Sequence, residues 1–290
     1  MVAAPDTTCT SILTRCRPDY QRVLPHRGCD ASRNSEPNSC TKVAEWFYMK
    51  ARKALSVLFT TVALCCSAHG SCFYSSQTGP FEQPLMVAIW RGDIEAVSNL
   101  LSSAPSLNIK VSFSCEGNAS DSTPLVNAVL ANSEARVGDG HLQMLEYLLN
   151  HGASPDFPAL DFTPMHMAAA LGDLPAVKLL LRYGAAVDPV YSSDTPLALA
   201  VQHGHMPVIQ ELIAARATLE IHDSLGGNLV SMAASQHYEE VVKLLIQLGV
   251  DPCEKDRDGH DALYWAGLGA DEAEGLGTIK LLKLACGRYD

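Results

Sequence analysis

The residues of this chain that could do chemistry are few, and their spacing does not converge on a reaction. His203 and His205 flank Gly204, but two imidazoles without further ligands do not hold a metal ion, so a structural use is expected for both. The acid-rich run Asp251–Asp261, DPCEKDRDGHD, has the Asp and Gly of a calcium loop. It lacks the closing glutamate at the required place and is expected to be a turn. Cys65-Cys66 has no ligand spacing. Asn118-Ala119-Ser120 is a glycosylation sequon, meaningful only in a eukaryotic secretory pathway. No G-x-S-x-G, H-E-x-x-H or P-loop occurs. No catalytic residue, metal ligand or cofactor is therefore expected, and an enzyme is the weaker of the available classes.

The elements that would carry these residues fall into two parts. Residues 1–48 show no helical or strand period. Lys50, Arg52 and Lys53 then precede an uncharged run, Ala54 to Ala68, which ends among Ser67, Ala68, Gly70 and Ser71. A basic start, a short apolar run and small residues describe a secretory signal peptide over 49–70. The run is short of the roughly 20 residues a spanning helix needs, so no stable membrane span is expected. Its internal position suggests that Met49 is the working initiator and that 1–48 is a doubtful or disordered upstream extension. Residues 71–82 form a lead-in, and 83–290 the main domain.

Charge and cysteine content follow that division. The net charge is −11, and from residue 71 onward 27 Asp/Glu against 12 Lys/Arg leave −15. Nucleic-acid binding needs a basic footprint and is disfavoured; such a surface would draw a basic partner. Downstream of the signal only Cys72, Cys115, Cys253 and Cys286 remain. An even number in an exported chain suggests disulfides. Chain order suggests Cys72–Cys115 and Cys253–Cys286, while four cysteines allow three pairings. A periplasmic or secreted location is expected on the same grounds.

The main domain repeats itself. Segments begin near residues 83, 123, 163, 195, 228 and 261, and the last three intervals are 32, 33 and 33 residues. That is the period of an ankyrin repeat. The third segment carries the likeness most fully, with Thr163-Pro164-Met165-His166, Ala168-Ala169, Gly172-Asp173, Val177, Leu179-Leu180-Leu181 and Gly184-Ala185. On these residues the chain resembles the ankyrin repeat family. The resemblance implies an all-α solenoid of about six helix-turn-helix repeats with turn fingers, here preceded by the signal peptide. The physics agrees. Thr163 and Thr195 can cap a helix, and Pro164 and Pro196 suit its first turn. Gly172 and Gly204 suit the left-handed residue that ends it. Val177, Leu180 and Leu181 make one apolar face, which only a neighbouring repeat can bury.

The departures are specific. The two intervals of 40 residues put extra length around 110–122 and 131–140, and the last repeat has more near 270–277. Repeats 1, 4, 5 and 6 lack the motif's histidine, and Asn228 and Asp261 replace its threonine. A cap is expected at both, but not a uniform ladder between repeats. Phe73, Tyr74 and Phe81 are expected to cover the first repeat. Lys280, Lys283 and Arg288 suit the final segment to capping the array.

The resemblance also implies function: fingers and first helices line a concave groove that holds another protein. Carried over by position, the partner-binding candidates are Phe157, Asp161, Tyr191, Asp194, His222, Asp223, Arg257, Asp258 and His260. Aromatic residues among them would act as anchors, and acids would either meet basic groups or cap turns. Trp90, Tyr264 and Trp265 would pack between repeats or touch the partner. The expected molecule is a monomeric, non-catalytic periplasmic scaffold. It would be an inhibitor or immunity protein, or an accessory to a periplasmic enzyme. A secreted effector acting on host proteins is the alternative, or an intracellular scaffold if the signal reading is wrong.

Overall fold

The computed structural model describes residues 72–74, 82–102, 106–115, 118–134, 140–159, 162–189, 194–268 and 275–288. The signal-peptide reading, Phe81, Asp161 and Tyr191 lie outside them. Twelve helices occur among the described residues, in six successive pairs: α1 Glu82–Trp90 and α2 Ile94–Leu101, α3 Pro124–Glu134 and α4 Gly140–Asn150, α5 Pro164–Leu171 and α6 Leu174–Arg182, α7 Pro196–Gln202 and α8 Met206–Ala214, α9 Leu229–Ala234 and α10 Glu239–Gln247, α11 Ala262–Gly267 and α12 Leu276–Ala285. The first helices pack in a row, α1 on α3, α3 on α5, and onward to α11; α4 packs on α6, α6 on α8 and α10 on α12.

Residue size explains that order. The first helices present alanines inward: Ala168, Ala169, Ala198, Ala200, Ala233, Ala234, Ala262 and Ala266 are fully buried. Small side chains let neighbouring backbones approach, and the larger residues fill the space beside them. Leu180, Leu197, Ile209, Leu212, Leu229 and Leu245 are all at 0 % exposure within one continuous core. Each such burial contributes about 1.5–3 kcal/mol.

The ends of the helices are set by side chains. Thr195 Oγ1 accepts from the Ala198 amide at 3.2 Å, and Thr123 Oγ1 from the Val126 amide at 3.2 Å. Asn228 and Asp261 cap as their substitution for threonine requires, accepting from the amides of Ser231 and Tyr264, each at 3.1 Å. Gly172 ends α5 at φ 71°. A Cβ there would stand 2.5 Å from His205 Nδ1, so glycine is needed for space as well as for conformation. The same left-handed conformation is taken by Arg216 at φ 67° and His237 at φ 60°.

The all-α expectation describes the array but not its front. The extra length at 110–122 forms strands β2 Val111–Cys115 and β3 Asn118–Ser122, which with β1 Cys72–Tyr74 make an antiparallel sheet of order β1-β2-β3. Val111 and Phe113 alternate with Ser112 and Ser114, the period of two that a strand requires. Phe73 and Tyr74, expected as a cover for the first repeat, stand in β1, opposite Ser114 and Phe113. The register also sets Cys72 opposite Cys115. The second expected insertion is partly helix: α3 and α4 have 11 residues each, against 8 and 9 in α5 and α6. At the other end Cys253 and Cys286 form a disulfide, with an S–S distance of 2.10 Å. No helix among the described residues is long and apolar enough to cross a membrane.

Candidate partner-binding groove

The fingers are built by hydrogen bonds that reach from one repeat to the next. Asn108 Oδ1 accepts from the Ser154 amide at 2.7 Å, Asp156 Oδ1 from the Ala186 amide at 2.9 Å and Asp188 Oδ2 from the Thr218 amide at 2.9 Å. A short acceptor at the base of each of these fingers thus satisfies a backbone donor of the following repeat. The finger acids Asp156 and Asp188 are therefore engaged within the array.

A second set of contacts aligns the helix pairs. His141 Nε2 meets the Trp90 carbonyl at 3.1 Å, and His205 Nε2 the Ala170 carbonyl at 2.9 Å. Each imidazole caps the end of the preceding repeat's first helix and lies over its glycine, Gly92 or Gly172; Tyr238 lies over Gly204 in the same manner. This contact is a structural use of His205. The rings of His203 and His205 are 5.9 Å apart, and no cluster of three metal-ligating residues occurs among the described residues.

A groove among the described residues holds about 550 Å³ of space open to solvent and is lined by Gln202 and His203 at the end of α7, by Ser231, Met232, Ser235 and Gln236 on and after α9, by Asp223, Leu225 and Gly227 of the finger, and by Trp265 of α11. Trp265 is 4 % exposed. Its indole N–H donates to Asp256 Oδ2 at 2.9 Å. The other oxygen of this buried carboxylate accepts from the amides of Asp258 and His260 at 3.0 and 2.8 Å. Three donors on one carboxylate fix the floor of the groove to the last finger. The His260 ring stacks on Tyr264 with centroids 3.6 Å apart and supports that finger from behind.

This architecture matches a known family. The family model of ankyrin repeats matches the chain in three copies, over residues 85–191, 134–223 and 197–276. The chain belongs to the ankyrin repeat family. No curated protein matches it. Ankyrin repeats are protein–protein interaction scaffolds, and the groove lies where fingers and first helices meet.

The motif's histidine, and one departure from it, now have a physical account. In repeat 3, His166 Nδ1 accepts from the Thr163 amide and hydroxyl at 3.1 and 2.9 Å, and Nε2 meets the Asp194 carbonyl at 2.9 Å. Burial pushes the His166 imidazole below its usual pKa, a shift opposed by the Asp194 carbonyl. Repeat 5 lacks this histidine, and Asn228 makes the link instead: its Nδ2 donates to the Asp251 carbonyl at 2.6 Å and to Glu254 Oε2 at 2.9 Å. The ladder is continued by different chemistry.

Of the expected site residues, Asp223 lines the groove, and its Oδ1 also closes the finger by accepting from the amides of Leu225 and Gly227 at 2.8 and 2.9 Å. Arg257 joins two fingers, donating from its amide to the Leu225 carbonyl at 3.0 Å and from Nη1 to the Ser224 carbonyl at 3.1 Å. Asp258 is exposed on the neighbouring turn. His222 is exposed but turned to Glu254, with Nε2 2.8 Å from Oε1. That contact, then Asn228, holds the Glu254 carboxyl below the usual carboxylate range. Phe157 and Asp194 are half-buried in earlier fingers and do not join this groove. Sequence reasoning missed Gln202, Leu225, Met232, Ser235 and Gln236. The signal for three of them was present: Gln202 and Ser235 stand where repeat 3 has Ala170, and Gln236 where it has Leu171.

Proposed function

We propose that this ankyrin-repeat protein is an exported, non-catalytic scaffold that holds a basic protein partner in the groove between α7, α9, α11 and their fingers. The observation that carries the reading is the groove itself. It combines a tryptophan and a methionine floor with amide and hydroxyl walls, the mixture of apolar anchor and adaptable polar contact that protein interfaces use. The charge of −15 from residue 71 onward favours a cationic partner. Export is favoured by the segment 49–70 and by the Cys253–Cys286 disulfide, a bond that persists in oxidising compartments. Within the periplasm an inhibitor or immunity protein for a cationic enzyme fits the charge better than an accessory role.

The test places a photo-crosslinking residue at Gln236 in the groove or at Lys243 on the outer face of α10, in the full chain expressed in its native cells. A single exported, basic protein captured from the periplasmic fraction at position 236 and not at 243 is the expected result. Equal capture at both positions, or capture from the cytosol alone, refutes the reading.

A further inference from the structure

The last helix is held poorly by its own packing. Thr278 and Leu282 are its buried residues, whereas Leu276 and Leu284 are 62 % and 63 % exposed. The Thr278 hydroxyl is buried with no hydrogen-bond partner. By contrast α6 buries Ala176, Val177, Leu179 and Leu180, and α8 buries Val208, Ile209 and Leu212. A helix with few buried residues opens more readily than its well-packed neighbours. Something else must keep α12 in place. The disulfide does so: Cys286 is its C-cap, and Cys253 lies near the base of the last finger. Arg288 Nη2, 2.5 Å from Asp261 Oδ2, adds an ion pair beside it.

That finger is the part that shapes the groove. Its Asp256 holds the Trp265 indole, and its Arg257 holds the Leu225 carbonyl of the preceding finger. Cys253 therefore joins a thinly buried helix to the segment that positions two groove residues. Both cysteines are half-buried, so a reductant has a path to the bond.

We propose that the Cys253–Cys286 disulfide is a redox latch, which holds the last helix pair docked when oxidised and releases it when a dithiol reduces the bond. A thiolate of the dithiol attacks one Sγ, the Sγ–Sγ bond breaks and a mixed disulfide forms. The second thiol then displaces it. The dithiol leaves as a disulfide, and two electrons and two protons remain on Cys253 and Cys286 as thiols. Release of α12 loosens the finger and with it the Trp265 end of the groove, so partner affinity follows the redox state. That last consequence rests on the proposed use of the groove; the latch itself does not.

Hydrogen exchange on the full chain, oxidised and then reduced with dithiothreitol, tests the latch without any partner. Amides of 276–286 are expected to exchange on the order of a hundredfold faster on reduction, from the loop entropy the bond removes. Amides of 164–182 are expected to stay unchanged, and reoxidation to restore protection. The Cys253→Ser/Cys286→Ser variant should match the reduced protein. Unchanged exchange at 276–286, or equal acceleration across the array, overturns the proposal. If the latch holds but crosslinking at position 236 fails, the groove reading alone is wrong.

Discussion

Replacing His166 by alanine tests whether the array is held by its polar links as well as by its apolar faces. His166 is 0 % exposed and makes three contacts: two accepted at Nδ1 from Thr163 and one from Nε2 to the Asp194 carbonyl. Each hydrogen bond contributes about 1 kcal/mol net, and removing the ring leaves the buried Thr163 groups unpaired and a small cavity. The expected loss is about 3–4 kcal/mol. Linkage gives a second, independent signature. Because burial lowers the His166 pKa below the ordinary imidazole value of about 6.5, the unfolded chain binds a proton that the folded protein refuses. Stability is therefore complete above about pH 6.5 and falls as the pH drops towards the folded pKa, by at most about 1.4 kcal/mol per pH unit. Urea unfolding followed by far-UV circular dichroism at pH 7.5 and pH 5.5 reads both effects. The variant should be less stable at pH 7.5 and lack this component of the acid sensitivity. A loss below about 0.5 kcal/mol, or the same pH dependence in both proteins, would show that His166 does not hold the repeats together.

Three further perturbations have defined outcomes. Arg216→Gly relieves an exposed non-glycine residue at φ 67° and should raise the thermal midpoint, by a gain of about 0.5–1 kcal/mol; a lower midpoint would show that the Arg216 side chain contributes more than its backbone costs. Gly172→Ala forces a Cβ to within 2.5 Å of the His205 ring at φ +71° and should cost about 2 kcal/mol or more in urea unfolding, with the loss reduced in a His205→Ala background. Glu254→Gln removes a carboxyl whose pKa is lowered chiefly by His222. The wild-type contribution is present above the ordinary carboxylate pKa and lost as the pH falls through the folded value, so the variant should show a shallower acid transition below about pH 4.5. Solvent exposure limits this effect to under about 1 kcal/mol, and calorimetry at pH 7 and pH 3.5 separates it from a pH-independent loss.

Much of this molecule could be read from the order of its residues. A period of about 33 positions, with caps, alanine pairs and closing glycines in register, is a local property repeated until it becomes a fold. Asn228 and Asp261 were recognisable as caps for the same reason: an N-cap is made within one turn of chain. Chain order suggested the pairing of Cys253 with Cys286, one of three arrangements that four cysteines allow. What required the tertiary structure is everything that passes between repeats. Nothing local says that His205 belongs to the Ala170 carbonyl, that Asp188 Oδ2 accepts from Thr218, or that Asn228 takes over the bridging of His166. The front sheet escaped the sequence reading because β1 and β2 are separated by the whole first repeat, so their pairing has no signature in either segment alone. The groove was hidden likewise. Its walls come from the last turns of two inner helices and its floor from a third, residues ordinary in sequence that only stacking brings to one surface.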